Sequence, residues 1–382
     1  MRIAFIGQKG IPAVFGGVEH HVDELAGRLV RRGHAVHVYV RAWYTAGRPH
    51  YYKGVRLVYT PTVKTKHLDA FVHSLTSSLH ALNGSYDIVH YHAIGPSVFC
   101  WLPKLRGRKV VVTLHGLDWK RGKWGGAARV FLKCAERTAV YLPDKIITVS
   151  RDQQAYLDQK YGKKAIYIPN GVNPPGPHPG TRTIAEKYGL RGRDYLLWLG
   201  RITPEKRVDW LVKAFKKLKP AVRLVIAGGS DSGGYERSIR RAAADEKRII
   251  FTGFVHGNEK QELLGNALCC VTPSYLEGLP IALLEAMSHG LVCLASDIPP
   301  HREIITTGVD GFLFRSESYA DFIKEVKLLL AGCATAGTGK PGTGALRAMG
   351  KKAALRVKRD FNWDVIADQT EQVYCEILGS GC

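Results

Sequence analysis

Acidic residues are scarce in this chain: 33 Asp and Glu stand against 55 Lys and Arg over 382 residues, a formal net charge of +22. No Asp-x-Asp occurs anywhere, so the carboxylate pair that often holds a divalent ion at a diphosphate is missing. Long apolar runs are missing too. Stretches such as Leu224 to Ala227 fall far short of the roughly 20 residues a membrane-spanning helix needs. The opening residues Met1 to Gly7 have neither an apolar targeting core nor a small-residue cleavage site; they read as a first strand, and the cytosol is the expected compartment. The eight cysteines lack the paired spacing of a zinc site and sit mostly in apolar segments such as Leu268-Cys269-Cys270-Val271, as reduced buried thiols do. No self-similarity at 20 to 50 residues suggests a repeat array. Helix-turn-helix and zinc-finger patterns are absent as well, so nucleic acid is not expected as a partner despite the charge.

What the chain does have is alternation of strand-like and helix-like segments in both halves. Strand-like runs at Arg2 to Ile6, Ala35 to Val40, Val55 to Tyr59, Asp87 to Tyr91, Lys109 to Leu114 and Lys145 to Val149 alternate with helix-length segments. A second series follows at Tyr195 to Leu199, Val222 to Ala227, Arg248 to Thr252, Leu268 to Thr272 and Leu291 to Ala295. Such alternation implies right-handed crossovers and parallel sheets, hence an α/β fold with two doubly wound Rossmann-like domains. The breaker-rich stretch Pro169 to Pro177 reads as the linker. The domains expected are 1–172, joined by a final helix at 363–382, and 178–362. The Gly-, Ala- and Thr-rich segment Gly332 to Gly344 reads as a flexible surface loop.

In open parallel sheets, ligands bind beyond the carboxyl ends of the strands. After the first strand comes Gly7 to Gly17, a glycine-rich loop ending in Gly16-Gly17 at a helix start that could face an anion. It lacks the Gly-x-Gly-x-x-Gly spacing, and the second strand ends in Val40-Arg41 instead of an acid for a ribose diol, which argues against a nicotinamide cofactor. The fourth and fifth strands lead to His92 and His115, and neighbouring strands could bring the two together. No third ligand with zinc spacing accompanies them, so no metal is expected. In the second half, Gly200-Arg201 and Lys206 lie where a strand gives way to a helix bearing Val208, Leu211, Val212 and Phe215. Cations at a helix start oppose its dipole, which points to an anion that offsets both. The stretch Pro273 to Gly290 places Glu277 in a loop and Glu285 inside an otherwise apolar helix starting near Pro280. A buried glutamate needs a partner, either a ligand hydroxyl or a local cation.

Taken together, Gly16-Gly17-Val18-Glu19, Ile168 to Val172, Gly200-Arg201 with Pro204-Glu205-Lys206, Ile250 to Val255, the Glu277 to Glu285 segment and Phe361-Asn362-Trp363 resemble the retaining glycosyltransferases of family 4. The likeness spans nearly the whole chain. It implies the GT-B fold, with two Rossmann-like domains facing a central cleft and the C-terminal helix crossing back to the N-terminal domain. It also implies a nucleotide-diphosphate sugar as co-substrate with no further cofactor. By position, Arg201 and Lys206 would grip the donor diphosphate, Glu285 the ribose hydroxyls and Glu277 the transferred sugar. Phe254 and Val255 would meet the base, Gly278, Leu279, Pro280 and Ile281 would present backbone to phosphate, Gly16 and Gly17 would close over the donor, and His115 would sit near the sugar. An epimerase or phosphorylase on the same fold is the alternative.

For the acceptor, residues 101–137 hold ten Lys and Arg against two acids, with Trp101, Trp119, Trp124 and Phe131 interleaved. This composition suits an anionic lipid interface. With the resemblance of Gly7 to Val18 to bacterial transferases of cell-surface polysaccharide, it suggests a lipid-linked saccharide acceptor and peripheral attachment to the inner face of the plasma membrane.

Overall fold

The computed structural model describes residues 1–65, 68–122, 124–177, 179–230, 233–334 and 343–379. The chain divides into two compact units, Met1–Gly171 with Trp363–Cys382, and Val172–Asn362. The strands are β1 (Arg2–Ile6), β2 (Ala35–Arg41), β3 (Tyr51–Tyr52), β4 (Val55–Thr60), β5 (Ile88–His92), β6 (Lys109–Leu114), β7 (Lys145–Thr148) and β8 (Ile166–Tyr167) in the first unit. The second unit holds β9 (Tyr195–Leu199), β10 (Arg223–Ala227), β11 (Ile249–Gly253), β12 (Cys269–Thr272), β13 (Cys293–Ser296) and β14 (Phe312–Phe314). The helices are α1 (Gly17–Arg31), α2 (Asp69–Leu82), α3 (Trp101–Lys104), α4 (Gly126–Tyr141), α5 (Arg151–Tyr161), α6 (Arg182–Tyr188) and α7 (Val208–Leu218), followed by α8 (Gly234–Ala242), α9 (Gly257–Asn266), α10 (Ile281–Ser288), α11 (Pro299–Ile304), α12 (Tyr319–Ala334), α13 (Thr343–Asp360) and α14 (Trp363–Leu378).

The first sheet has the order β3-β4-β2-β1-β5-β6-β7-β8, and every pair except β3 with β4 is parallel. The second has the order β11-β10-β9-β12-β13-β14, parallel throughout. Each therefore reverses its winding at one place, between β1 and β5 in the first unit and between β9 and β12 in the second, and such switch points are where crevices open at the carboxyl edge. The helices cover the sheets because their apolar residues recur at helical spacing. On α1, Val22, Leu25, Ala26 and Leu29 are buried, and the helix stops where Gly33 takes a positive φ of 86°. On α7, Val208, Leu211, Val212 and Phe215 are buried against β9 and β10 neighbours such as Trp198 and Ile226.

The last helix belongs to the first unit. Arg28 Nε donates to Asp364 at 2.7 Å, His34 Nε2 meets Glu371 at 2.6 Å, and the buried ring of His90 meets Tyr374 Oη at 2.6 Å. Trp363 is fully buried, and a Cβ on Gly171 would come within 2.7 Å of its ring. This explains why the Phe361-Asn362-Trp363 and Asn170-Gly171 segments go together: the glycine leaves room for the indole at the point where the chain leaves and re-enters the unit.

Two expectations change. Gly332 to Gly344 is not one loop: residues up to Ala334 continue α12 and those from Thr343 begin α13, while 335–342 lie outside the described residues. Cys100, Cys134, Cys269, Cys270 and Cys293 are free thiols as expected, but Cys375 is disulfide-bonded. No helix among the described residues is long and apolar enough to cross a membrane.

Candidate functional site

In the second unit, three glycines end the three adjacent strands β9, β10 and β11. Gly200, Gly228 and Gly253 have φ of 155°, 145° and 73°. A Cβ on Gly228 would lie 1.7 Å from the Gly200 carbonyl oxygen, so the two backbones approach as only glycine allows. The amides of Gly200 and Ile202 donate to Ala227 and Gly229 at 3.0 and 2.8 Å. The result is a shelf without side chains at the carboxyl edge, flanked by Phe254, which is exposed, and Val255, which is buried. Phe254 is held against it: a Cβ on Gly229 would meet the Phe254 ring at 3.0 Å.

The remaining predicted residues of this unit lie on the segments that follow β9 and β12, the strands on either side of the switch point. Arg201 is half-buried just after β9, and Lys206 ends the short turn Pro204–Lys206 before α7. Lys206 Nζ donates to Glu277 Oε1 at 2.5 Å, and the carboxylate side chain is 8% exposed. Burial alone would push the Glu277 carboxyl up, but the charges of Lys206 and His301 outweigh it and hold the group below the ordinary glutamate range. His301 is buried, its Nδ1 2.7 Å from the Ser296 carbonyl, with Nε2 lacking a partner among the described residues. Glu285, buried on α10, accepts from Lys260 of α9 at 2.6 Å, so the local cation it needed is a lysine from the preceding helix. Gly278, Leu279 and Pro280 lead into α10, which starts at Ile281 with no side-chain cap. Its first turn can therefore face an anion. Pro280 has no N–H, so the backbone donors there come from Gly278, Leu279 and Ile281.

In the first unit the Gly7–Gly17 loop is tied down by its own side chains. Glu19 Oε1 accepts from the Lys9 amide at 3.1 Å, Asp23 Oδ2 from Ala13 at 2.9 Å and Tyr44 Oη from Val14 at 2.8 Å. Gly16, at φ 104°, has no Cβ, and one placed there would sit 1.9 Å from Glu19 Oε2. The start of α1 thus faces a carboxylate of the chain itself. Gly7 lies against β5 in the same way, since a Cβ would be 2.3 Å from the His92 carbonyl.

Next to this loop His92 and His115 do meet: His92 Nδ1 and His115 Nε2 are 3.0 Å apart, with the rings stacked. His21 of α1 joins them, its ring 4.7 Å from that of His115 and its Nδ1 2.9 Å from Asn170 Oδ1. Nothing in the local sequence of α1 singles out His21. Its role emerges only when α1 packs beside β5 and β6. Each of the three offers a nitrogen within 4.8 Å of the others, the group among the described residues that could hold a metal ion. Two of its nitrogens already face each other as a hydrogen-bonded pair, which needs one proton between them. Burial lowers the His21 pKa to about 4 and holds His92 and His115 well below the ordinary histidine range, so the trio is neutral near pH 7.

These observations meet the comparisons with known proteins. Residues 181–335 match the model for glycosyl transferases group 1, and residues 15–174 that for glycosyltransferase family 4. The α-maltose-1-phosphate synthase of Mycobacterium tuberculosis is 28% identical over 99% of this chain and 100% of its own length. The phosphatidyl-myo-inositol mannosyltransferase of the same organism is 27% identical over 96% of this chain and 94% of its own. Among solved structures, Anabaena HepE in complex with UDP and glucose has a TM-score of 0.80 at 18% identity, covering 98% of this chain and 100% of that one. The two parallel-sheet domains are those of the GT-B fold, and the chain belongs to the group 1 and family 4 glycosyltransferases.

Proposed function

We propose that this glycosyltransferase moves a hexosyl or deoxyhexosyl group from a nucleotide-diphosphate sugar to a hydroxyl of a lipid-linked saccharide, with retention at the anomeric carbon and without a metal ion. The observation that carries the donor site is the side-chain-free shelf of Gly200, Gly228 and Gly253 beside the uncapped start of α10 and the Lys206–Glu277 and Lys260–Glu285 pairs. A flat nucleotide and its diphosphate need close backbone approach, fixed positive charge and acceptors for hydroxyls, and each is present at one switch point. In this reading the base lies by Phe254 and Val255, and the ribose hydroxyls donate to Glu285. The diphosphate meets Arg201, Lys206 and the amides of Gly278, Leu279 and Ile281, and sugar hydroxyls donate to Glu277.

When the glycosyl phosphate bond breaks, negative charge grows on the departing oxygen and positive charge on the ring. Arg201, Lys206 and the α10 dipole stabilise the first, and the ionised Glu277 the second. The acceptor oxygen bonds to the anomeric carbon on the face the diphosphate leaves, and its proton passes to the departing phosphate oxygen, so no carboxylate nucleophile is required. UDP in the related HepE structure and the lipid named in the mannosyltransferase relative lend support to the donor and acceptor classes. NMR of the product tests the reading: a glycoside with the donor's anomeric configuration is expected, whereas an inverted stereocentre in the free nucleotide sugar or release of a sugar 1-phosphate would support the epimerase or phosphorylase alternative.

A further inference from the structure

The helix α4 turns Leu132, Ala135, Glu136, Ala139 and Val140 inward. Outward it shows Arg129, Val130, Phe131, Lys133, Arg137 and Tyr141, all exposed. Glu136, its only acid, is fully buried and saturated: Trp119 Nε1, Tyr156 Oη, Lys160 Nζ and Tyr161 Oη all donate to it, at 2.5 to 2.9 Å. The other acid of residues 101–137, Asp118, pairs with Arg121. The outer face therefore combines cations with apolar groups and carries no acid. Its apolar part extends to α2, where the half-exposed Phe71 ring lies 5.7 Å from that of Phe131, and Leu68 just before it is 56% exposed.

At the edge of this face the ammonium groups of Lys120, Lys133 and Lys160 lie 5.7, 5.3 and 5.7 Å from the Trp119 ring centroid. Of the three, only Lys160 has a carboxylate partner among the described residues. Two unneutralised ammonium groups around one indole repel each other, and a bridging anion reverses the sign of that interaction. Val130, Leu68 and Phe71 would gain from leaving water, which acyl chains allow and a nucleic-acid backbone does not.

We propose that the outer face of α4, with Phe71 and Leu68, docks on an anionic lipid surface, and that Lys120 and Lys133 at the Trp119 ring hold a lipid phosphate. This deepens the lipid-linked acceptor reading and rests on it for its purpose. The test is co-sedimentation of the full chain with vesicles of phosphatidylcholine, alone or mixed with phosphatidylglycerol, at low and physiological salt. Binding is expected only to the anionic vesicles. Lys120→Ala with Lys133→Ala should reduce it at least about tenfold, since each surface cation is worth about fivefold. Val130→Ser with Phe131→Ser, which leaves charge unchanged, should also reduce it by about tenfold or more. Lys351→Ala with Lys352→Ala on α13 is the charge-matched control and should leave it intact. All three pairs of residues are exposed, so unchanged thermal unfolding verifies that each variant folds. Equal binding to neutral vesicles, insensitivity to the serine pair, or equal loss in the control would overturn the proposal. Inorganic phosphate that fails to compete for Lys120 and Lys133 would overturn the phosphate site. Binding of nucleoside diphosphate without vesicles scores the transferase reading separately: if it persists while vesicle binding is absent, only the docking face falls.

Discussion

Replacing Lys206 by alanine removes the cation that both neutralises Glu277 and faces the donor diphosphate in the proposed site. Glu277 is 8% exposed and Lys206 21%, with nitrogen and oxygen 2.5 Å apart. Stripping the partner from a fully buried ion pair destabilises by about 3 to 5 kcal/mol; because water reaches Lys206, about 2 kcal/mol is the expected loss here. Without Lys206 the burial of Glu277 is opposed chiefly by His301, so its pKa rises and the carboxylate needed beside the sugar forms only at higher pH. The rate suffers separately, since one fixed charge aimed at a departing oxyanion is worth on the order of a hundredfold or more in kcat. Initial rates over a pH series, with donor varied, separate the parts: Lys206→Ala should lower kcat at least about a hundredfold and shift the acid limb upward, and Lys206→Arg should recover part of both. A folded Lys206→Ala protein turning over within about threefold of the parent would refute the reasoning.

Acidification should destabilise the first unit. His21 titrates near 4, and His90, His92 and His115 well below the ordinary range, because burial disfavours their charged forms. Below about pH 6.5 the unfolded chain therefore binds more protons than the folded one, and each histidine removes up to about 1.4 kcal/mol per pH unit until its folded pKa is reached; a Tm unchanged between pH 7 and about pH 5 would contradict this. Gly228→Ala should destabilise by at least about 2 kcal/mol, because the added Cβ meets the Gly200 carbonyl at 1.7 Å and φ is 145°; urea unfolding close to the parent's would show that the shelf yields. Glu136→Gln should lower stability by about 2 to 4 kcal/mol, as the amide can serve only some of the four donors now facing the carboxylate, and a loss under about 0.5 kcal/mol would sink that account.

The β/α alternation made eleven of the fourteen strands among the described residues legible in the sequence; β3, β8 and β14 escaped because two or three residues show no periodicity. The residues of the proposed donor site follow strands, which is where the sequence pattern directs attention. Lys206 and Glu277 meet because β9 and β12 are neighbours, although strand order cannot be read from a linear pattern. For the same reason the partners supplied by other elements stayed hidden. Lys260 reaches Glu285 from α9, His21 reaches His115 from α1, and His301 approaches Glu277 from α11. Glu19 reads as part of a motif, yet its fold-back onto Gly16 depends on a φ that composition does not reveal.

The central claim is a donor site in the second unit that works without a metal ion. Thermal unfolding with UDP, GDP, dTDP, ADP or NAD(P), each in the presence of EDTA, tests it most directly. One nucleoside diphosphate at a hundred times its Kd should stabilise the protein by about 2.7 kcal/mol, and Glu285→Ala or Lys206→Ala should remove the effect. Stabilisation by NAD(P) alone, or by a nucleoside diphosphate only when a divalent ion replaces the chelator, would contradict it.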